Sequence, residues 1–385
     1  MFFADKFQLR IPGPTPIPPS VERAMAQPMI GHRSTDASEL VALCSNKLKP
    51  ILGTEEQPLI LSSSGTAALE ACVVNTLSPS EEAVVIVTGV FGERFVKILE
   101  RYQVYVHRLD IPWGTACSPD VLQAFLHQHP HVKAVFMTYC ETSTGVLNPI
   151  RELAQVTHTH SDALVIVDGV SCIGAVPSQM DEWGIDLLVT GSQKAFMLPP
   201  GLAFVGVSKR AWKVIEQNQT PRFYLDLRAY QSQLNKKTTP YTPALSLLFG
   251  LKEVLRLLEE EGLVHVYHRH ELLKNMTRAG IRGLGLPLMT SDEDASPTVT
   301  SIDGKDADWD VEELRKALRK LNVTVAGGQQ YLKGQIFRIG HMGYCDPFDI
   351  LSTLSALEIA LKQINAPIEL GQGVQAAQEV FLQHV

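Results

Sequence analysis

From residue 55 to 210, short apolar runs alternate with longer amphipathic stretches. The runs at 59–62, 84–88, 104–109, 134–138, 164–167, 187–189 and 202–207 are rich in Val, Ile, Leu and Phe, the composition of strands covered on both faces. Between them, 66–77, 94–102, 119–129 and 150–160 carry helical spacing. This alternation predicts βαβ units, an α/β fold and a mostly parallel sheet.

The pattern changes after about residue 255. Helices are expected at 254–261, 263–279, 311–321 and 347–364, and strands at 299–302, 323–326 and 336–339. Gly262 and the 280–287 stretch punctuate this smaller α+β part, and 371–385 reads as one more helix. The first twenty residues differ again. Pro12-Gly13-Pro14-Thr15-Pro16-Ile17-Pro18-Pro19 lacks the backbone donors of a regular helix. It is expected to be an extended arm packed over a site, because it leads directly into Met29-Ile30-Gly31-His32-Arg33. The expected organisation is an arm at 1–20, a large domain at 21–255 and a small domain at 256–385.

Composition narrows the function classes. The 385 residues are 45% hydrophobic and 19% charged, with a net charge of −7. That acidic balance argues against nucleic acid as a partner, which needs a basic face. No run approaches 18 apolar residues, so no membrane span is expected, and the start of the chain is too charged for a secretory signal. The terminal Gln383-His384-Val385 is not a peroxisomal signal. Six cysteines contain no C-x-x-C pair, so reduced thiols and a cytoplasmic location are expected, with no metal site.

Three segments carry chemistry. Ser62-Ser63-Ser64-Gly65-Thr66 follows the first strong strand and opens a helix, where small residues let backbone N–H groups and hydroxyls approach an anion. Taken alone, ordinary helix capping is the commoner reason for such a stretch. Asp168 ends an apolar run, placing an acid at the carboxyl edge of a parallel strand, where open α/β sheets bind ligands. Lys194 follows the next run, within Gly191-Ser192-Gln193-Lys194, and apolar residues come after it. A surface lysine is the default, but burial would lower its pKa as imine chemistry requires. Pyridoxal 5′-phosphate satisfies all three together: a phosphate, a ring nitrogen that wants a carboxylate and an aldehyde that wants an amine.

In this order the segments resemble the fold-type I, class V aminotransferases, specifically the alanine–glyoxylate, serine–pyruvate and serine–glyoxylate group. The resemblance spans nearly the whole chain. It includes Pro12 to Pro16, Gly31-His32-Arg33-Ser34, Ser64-Gly65-Thr66, Glu141-Thr142-Ser143-Thr144-Gly145-Val146, Asp168-Gly169-Val170, Gln193-Lys194 and Phe337-Arg338-Ile339-Gly340-His341-Met342-Gly343. It implies a seven-stranded sheet in the large domain. It implies that Lys194 holds the cofactor covalently and moves the substrate proton, while Asp168 keeps the ring nitrogen protonated. It implies a phosphate cradle of Ser64, Gly65 and Thr66 with Gln193, ring contacts from Phe91, Val170 and Thr142, and a substrate-carboxylate fork from Arg338. The arm residues Pro14 and Thr15 would shape the substrate pocket. In this family a second subunit reaches the phosphate, and Thr239 and Thr242 are the candidates, so a homodimer with shared sites is implied. The substrates implied are a small L-amino acid, alanine or serine, and a 2-oxo acid, glyoxylate or pyruvate.

The extension 371–385 is similar to a subgroup often labelled small subunit of a soluble hydrogenase, although no metal-ligand cluster suited to hydrogen chemistry stands in the sequence. Three other readings share some of these residues. A cysteine desulfurase would use the same cofactor with a mobile thiol, for which Cys345 is the candidate. A non-catalytic subunit of an oxidoreductase would not need Lys194, Asp168 and Arg338 together. A different amine donor, such as an aminoethylphosphonate, would not need an Arg338 carboxylate fork.

Overall fold

A computed structural model describes residues 6–384; residues 1–5 of the expected arm and Val385 lie outside them. In chain order the strands are β1 (Gln8–Arg10), β2 (Leu59–Leu61), β3 (Glu82–Val87), β4 (Tyr105–Asp110), β5 (Ala134–Thr138), β6 (Cys140–Glu141) and β7 (Val146–Leu147). They continue with β8 (Leu164–Asp168), β9 (Leu187–Gly191), β10 (Ala203–Val207), β11 (Val299–Asp303), β12 (Val323–Gly327) and β13 (Ile336–Gly340). The seven apolar runs of the first half form one sheet, in the order β2-β10-β9-β8-β5-β3-β4. β10 runs against β2 and β9, and the remaining pairs are parallel.

Every residue of β5, β8, β9 and β10 is buried. Each covered Val, Leu or Ile contributes roughly 1.5–3 kcal/mol of transfer free energy, which is why these strands need no polar alternation. Direction then decides the site. β2 and β9 both oppose β10, so they point the same way as each other and as β8, β5 and β3. β4 runs parallel to β3 as well, so six carboxyl ends open on a single edge.

The 35–52 region, which the apolar runs leave unassigned, is the helix Thr35–Leu52, capped by the Ser34 side chain and ended by Gly53 at φ +69°. The expected helix at 254–261 begins earlier and spans Leu245–Glu261. Residues 255 and 256 lie within it, so the chain stays helical across the expected domain boundary. The first apolar core takes in Val266 of the helix Leu263–Gly283 and Val299 of β11, and the second takes in Leu273 further along the same helix.

The second sheet runs β1-β12-β13-β11. Its edge strand comes from the arm: Gln8 to Arg10 pair in parallel with Val323 to Val325. The arm is therefore partly a strand of the small sheet. Short length and a proline-rich sequel hide that strand from periodicity. Gln8 Nε2 donates to Ser352 Oγ at 2.9 Å, and Arg10 pairs with Asp349. These contacts anchor the arm before it crosses to the large sheet. No helix among the described residues is long and apolar enough to cross a membrane.

Candidate active site

After β2, the helix Gly65–Thr76 begins with Ser64 as its cap; the Ala67 N–H donates to Ser64 Oγ at 3.4 Å. A Cβ at Gly65 would stand 2.9 Å from Val170 Cγ2, so only glycine lets the helix start approach the turn after β8. A Cβ at Gly191 would meet Gln193 Oε1 at 3.0 Å and Val170 Cγ1 at 3.6 Å. Ser64, Gly65, Val170 and Gln193 thus surround one small space, with Thr66 exposed beside it.

Arg94, which the motif reading passed over, brings a cation to this otherwise neutral cradle. Its Nη1 donates to Thr66 Oγ1 at 3.1 Å, and its guanidinium carbon lies 4.6 Å from the Phe91 ring centroid. The two residues lie three apart on the helix Val90–Arg101, the spacing that stacks side chains on one face. That spacing was visible in the sequence, but the partner Thr66 was not.

Asp168 closes β8 and is buried. Its Oδ1 accepts the Val170 N–H at 2.9 Å, and it makes no ion pair among the described residues. Burial raises its carboxyl from 3.8 to about 6, offset in part by that hydrogen bond, Arg94 and Lys194. A carboxylate desolvated at this cost calls for a protonated partner.

Lys194 stands three residues past the end of β9 and is buried. Its Nζ donates to the Pro12 carbonyl. Thr15 closes over the same turn: its Oγ1 donates to the Lys194 carbonyl at 3.0 Å and its N–H to the Gln193 carbonyl at 3.2 Å. A Cβ at Gly13 would lie 2.5 to 2.8 Å from Lys194 Cδ, Cε and Nζ. The arm, cis Pro14 included, therefore lies across the lysine. Burial lowers the amine from 10.5 to about 8; Arg338 and Arg94 push the same way, and Cys140 and Asp168 oppose them.

Beyond β5, the hairpin β6–β7 turns at Gly145, φ +85°, whose N–H donates to the Glu141 carbonyl at 2.9 Å. Thr142 is buried and its hydroxyl donates to Ser171 Oγ, tying the hairpin to the turn after Asp168. The Thr142 carbonyl accepts Arg338 Nη1 at 2.8 Å. Arg338, on β13, also donates Nε and Nη2 to the Gly327 carbonyl, at 3.0 and 2.7 Å. It makes no ion pair among the described residues, and burial lowers it to about 10. A guanidinium held only by carbonyls, in low dielectric, is poised to receive an anion.

The 238–242 segment lies apart from this group. Arg33 Nη1 donates to Thr238 Oγ1 at 2.6 Å and to the Thr239 carbonyl at 2.7 Å. The Thr239 hydroxyl is spent on the Tyr241 carbonyl at 2.6 Å, whereas Thr242 is exposed. Cys345 departs from expectation. It is 4% exposed, belongs to the second core, and burial raises its thiol to about 12. A reactive thiol needs access and a lowered pKa, so the desulfurase reading loses its candidate.

Pyridoxal phosphate finds a complementary group at each point. Its phosphate matches the capped helix start with Arg94, its ring nitrogen matches the unpaired Asp168, and its aldehyde matches the Lys194 amine. Comparison with known proteins points the same way. The chain is 42% identical over 381 residues, 98% of its length and 99% of the other's, to a protein named soluble hydrogenase, small subunit, from Synechococcus sp. (strain PCC 6716). It is 34% identical over 396 residues to the serine–glyoxylate aminotransferase of Arabidopsis thaliana, covering 100% of this chain and 97% of that one. The crystal structure of ureidoglycine–glyoxylate aminotransferase from Bacillus subtilis superposes with a TM-score of 0.92 at 30% identity, covering 99% of both chains. Residues 13–344 match the family described as aminotransferase class-V. The chain belongs to that family and is a pyridoxal-phosphate-dependent aminotransferase.

Proposed function

We propose that the protein transfers the amino group of a small L-amino acid, alanine or serine, to a 2-oxo acid, glyoxylate or pyruvate. The observation that carries this reading is the buried Lys194 amine, its pKa lowered by desolvation, set near the unpaired Asp168 carboxylate, with Arg338 held by carbonyls alone. Glyoxylate is favoured as the acceptor because it is common to the two aminotransferase relatives, whose donors differ.

Bound pyridoxal phosphate supplies a carbonyl that accepts the amino group and a ring that takes up the electron pair released at the substrate Cα. The residues of this chain do the rest. Arg338 forks onto the α-carboxylate and fixes which Cα bond faces Lys194. The Lys194 amine would take the Cα proton and carry it to its new site; a pKa near 8 suits an amine that must both accept and return a proton at neutral pH. Asp168 would keep a proton on the ring nitrogen. Phe91 and Val170 would hold the ring from its faces with Thr142 at its side, and Ser64, Gly65, Thr66 and Gln193 would receive the phosphate together with Arg94. Pro14 and Thr15 bound the substrate space on the side of the arm.

The working unit in this reading is a homodimer in the cytoplasm. Tyr224 stacks on Tyr241 at 4.9 Å and Phe223 lies tilted against it at 5.7 Å; Phe223 and Tyr224 are exposed, and the Tyr224 hydroxyl donates to the Ser62 carbonyl, just past β2, at 2.9 Å. Such a surface is suited to burial by a second copy. Of the two threonines offered to a partner's phosphate, Thr242 has its hydroxyl accessible. Six unpaired cysteines suit a reducing compartment. The division into an arm, a large domain and a small domain stays as proposed, with the helix Leu245–Glu261 carrying the chain between the latter two.

The test is the absorbance spectrum from roughly 300 to 500 nm, where the cofactor reports its state. A yellow band that moves to shorter wavelength with L-alanine or L-serine, and returns with glyoxylate, supports the reading and identifies the donor. A protein that stays colourless with added pyridoxal phosphate sinks it and promotes a non-catalytic role.

A further inference from the structure

We propose that Glu141 is a positioning residue shared by the ring platform and the substrate clamp: one buried carboxylate sets the places of both Phe91 and Arg338. The inference rests on the proposed roles of those two residues. Glu141 is 0% exposed, at the base of the β6–β7 hairpin. Its Oε2 accepts the N–H groups of Phe91 and Gly92, at 2.9 and 3.3 Å, and its Oε1 accepts the Ser143 N–H at 3.1 Å and the Ser143 hydroxyl. Ser143 Oγ in turn accepts the Val90 N–H at 3.0 Å. The first turn of the helix Val90–Arg101, which has no side-chain cap on Gly89, is therefore held by Glu141 and Ser143. A carboxylate there satisfies orphan donors and complements the positive end of the helix.

The same hairpin carries the clamp. The next residue, Thr142, gives its carbonyl to Arg338 and its hydroxyl to Ser171. The Glu141 charge also favours the Arg338 cation. Gly89 completes the arrangement. Its φ of 165° is ordinary extended backbone, yet a Cβ there would stand 2.5 Å from Glu141 Cγ, Glu141 Cδ and Ser143 Oγ. The loop after β3 is thus seated on the carboxylate, and the ring that flanks the cofactor moves with it.

Glu141→Gln keeps the shape but turns an amide N–H toward a pair of N–H donors and removes the charge beside Arg338. The readouts are the visible circular dichroism of bound pyridoxal phosphate, the cofactor dissociation constant without substrate, and KM and kcat for each substrate. The expected result is weaker visible dichroism, a cofactor dissociation constant raised about tenfold, and KM values for amino acid and oxo acid raised by about the same factor, the loss typical of a charged hydrogen bond. Gly89→Ala, which displaces the carboxylate without straining the backbone, is expected to reproduce the pattern and decides the question if Glu141→Gln fails to fold. Variants that lose only melting temperature, with dichroism and KM at wild-type values, would overturn the inference. A wild-type protein that exchanges no amino groups would instead overturn the proposed function.

Discussion

An amine must be uncharged to attack a carbonyl, so the pH dependence of Lys194 chemistry reads its burial directly. With a pKa of about 8, the amine is about 24% neutral at pH 7.5; at its ordinary 10.5 it would be about 0.1% neutral, a ratio of roughly 240. The assay mixes apoprotein with excess pyridoxal phosphate between pH 6 and 10 and follows capture by absorbance. The rate is expected to climb about tenfold per pH unit below 7.5 and to level off above 8 to 9. The neighbours supply an internal check. Asp168 favours the ammonium, so Asp168→Asn moves the midpoint down; Arg338 disfavours it, so Arg338→Met moves it up. A capture rate still climbing tenfold per unit through pH 9.5 would refute the reasoning, because Lys194 would then behave as a solvated lysine.

The same burial has a cost in stability. The folded amine titrates below its unfolded value, so the apoprotein loses about 3 kcal/mol wherever both states are protonated, below pH 8, and recovers it as pH rises toward 10.5. Lys194→Met therefore raises the denaturant midpoint of apoprotein at pH 7 and loses most of that gain by pH 10.5; an unchanged midpoint at pH 7 contradicts the burial argument. Arg338→Lys keeps the charge but loses the fork, and KM for both substrates is expected to rise by about tenfold or more, with a smaller change in kcat. Equal KM values would mean that the carboxylate binds elsewhere. Cys345→Ala is expected to leave transamination within about twofold, since the thiol is packed in the second core. Loss of turnover in a folded variant, or sulfide release from cysteine by the wild type, would restore the desulfurase reading.

Much of the architecture was legible in the residues themselves. Strands buried on both faces leave uninterrupted apolar runs, and all seven such runs became strands of one sheet. Helices with a clear polar face, such as Ile150–His160, were readable to the residue. Short or atypical elements were not. β1 is three residues long and takes its meaning from β12, more than three hundred positions away in the chain. Thr35–Leu52 carries its own cap but no apolar run to announce it.

The sequence by itself determined the chemical inventory: an acid at a strand end, a lysine just beyond the next strand, an arginine within a strand of the small domain, and a small-residue turn before a helix. Local patterning shows the acid, the lysine and the turn because each depends on near neighbours, whereas Arg338 stood out only through the family resemblance. Tertiary structure alone decided which of them work together. Strand order and direction bring six carboxyl ends to one edge, and the arm, anchored by β1, lays Pro12 and Thr15 on Lys194. The lowered pKa of Lys194, the burial of Cys345 and the Phe91 and Gly92 donors on Glu141 all follow from packing between distant segments. A residue type cannot announce its own burial, so Glu141 and Arg94 acquire their significance only once the chain is folded.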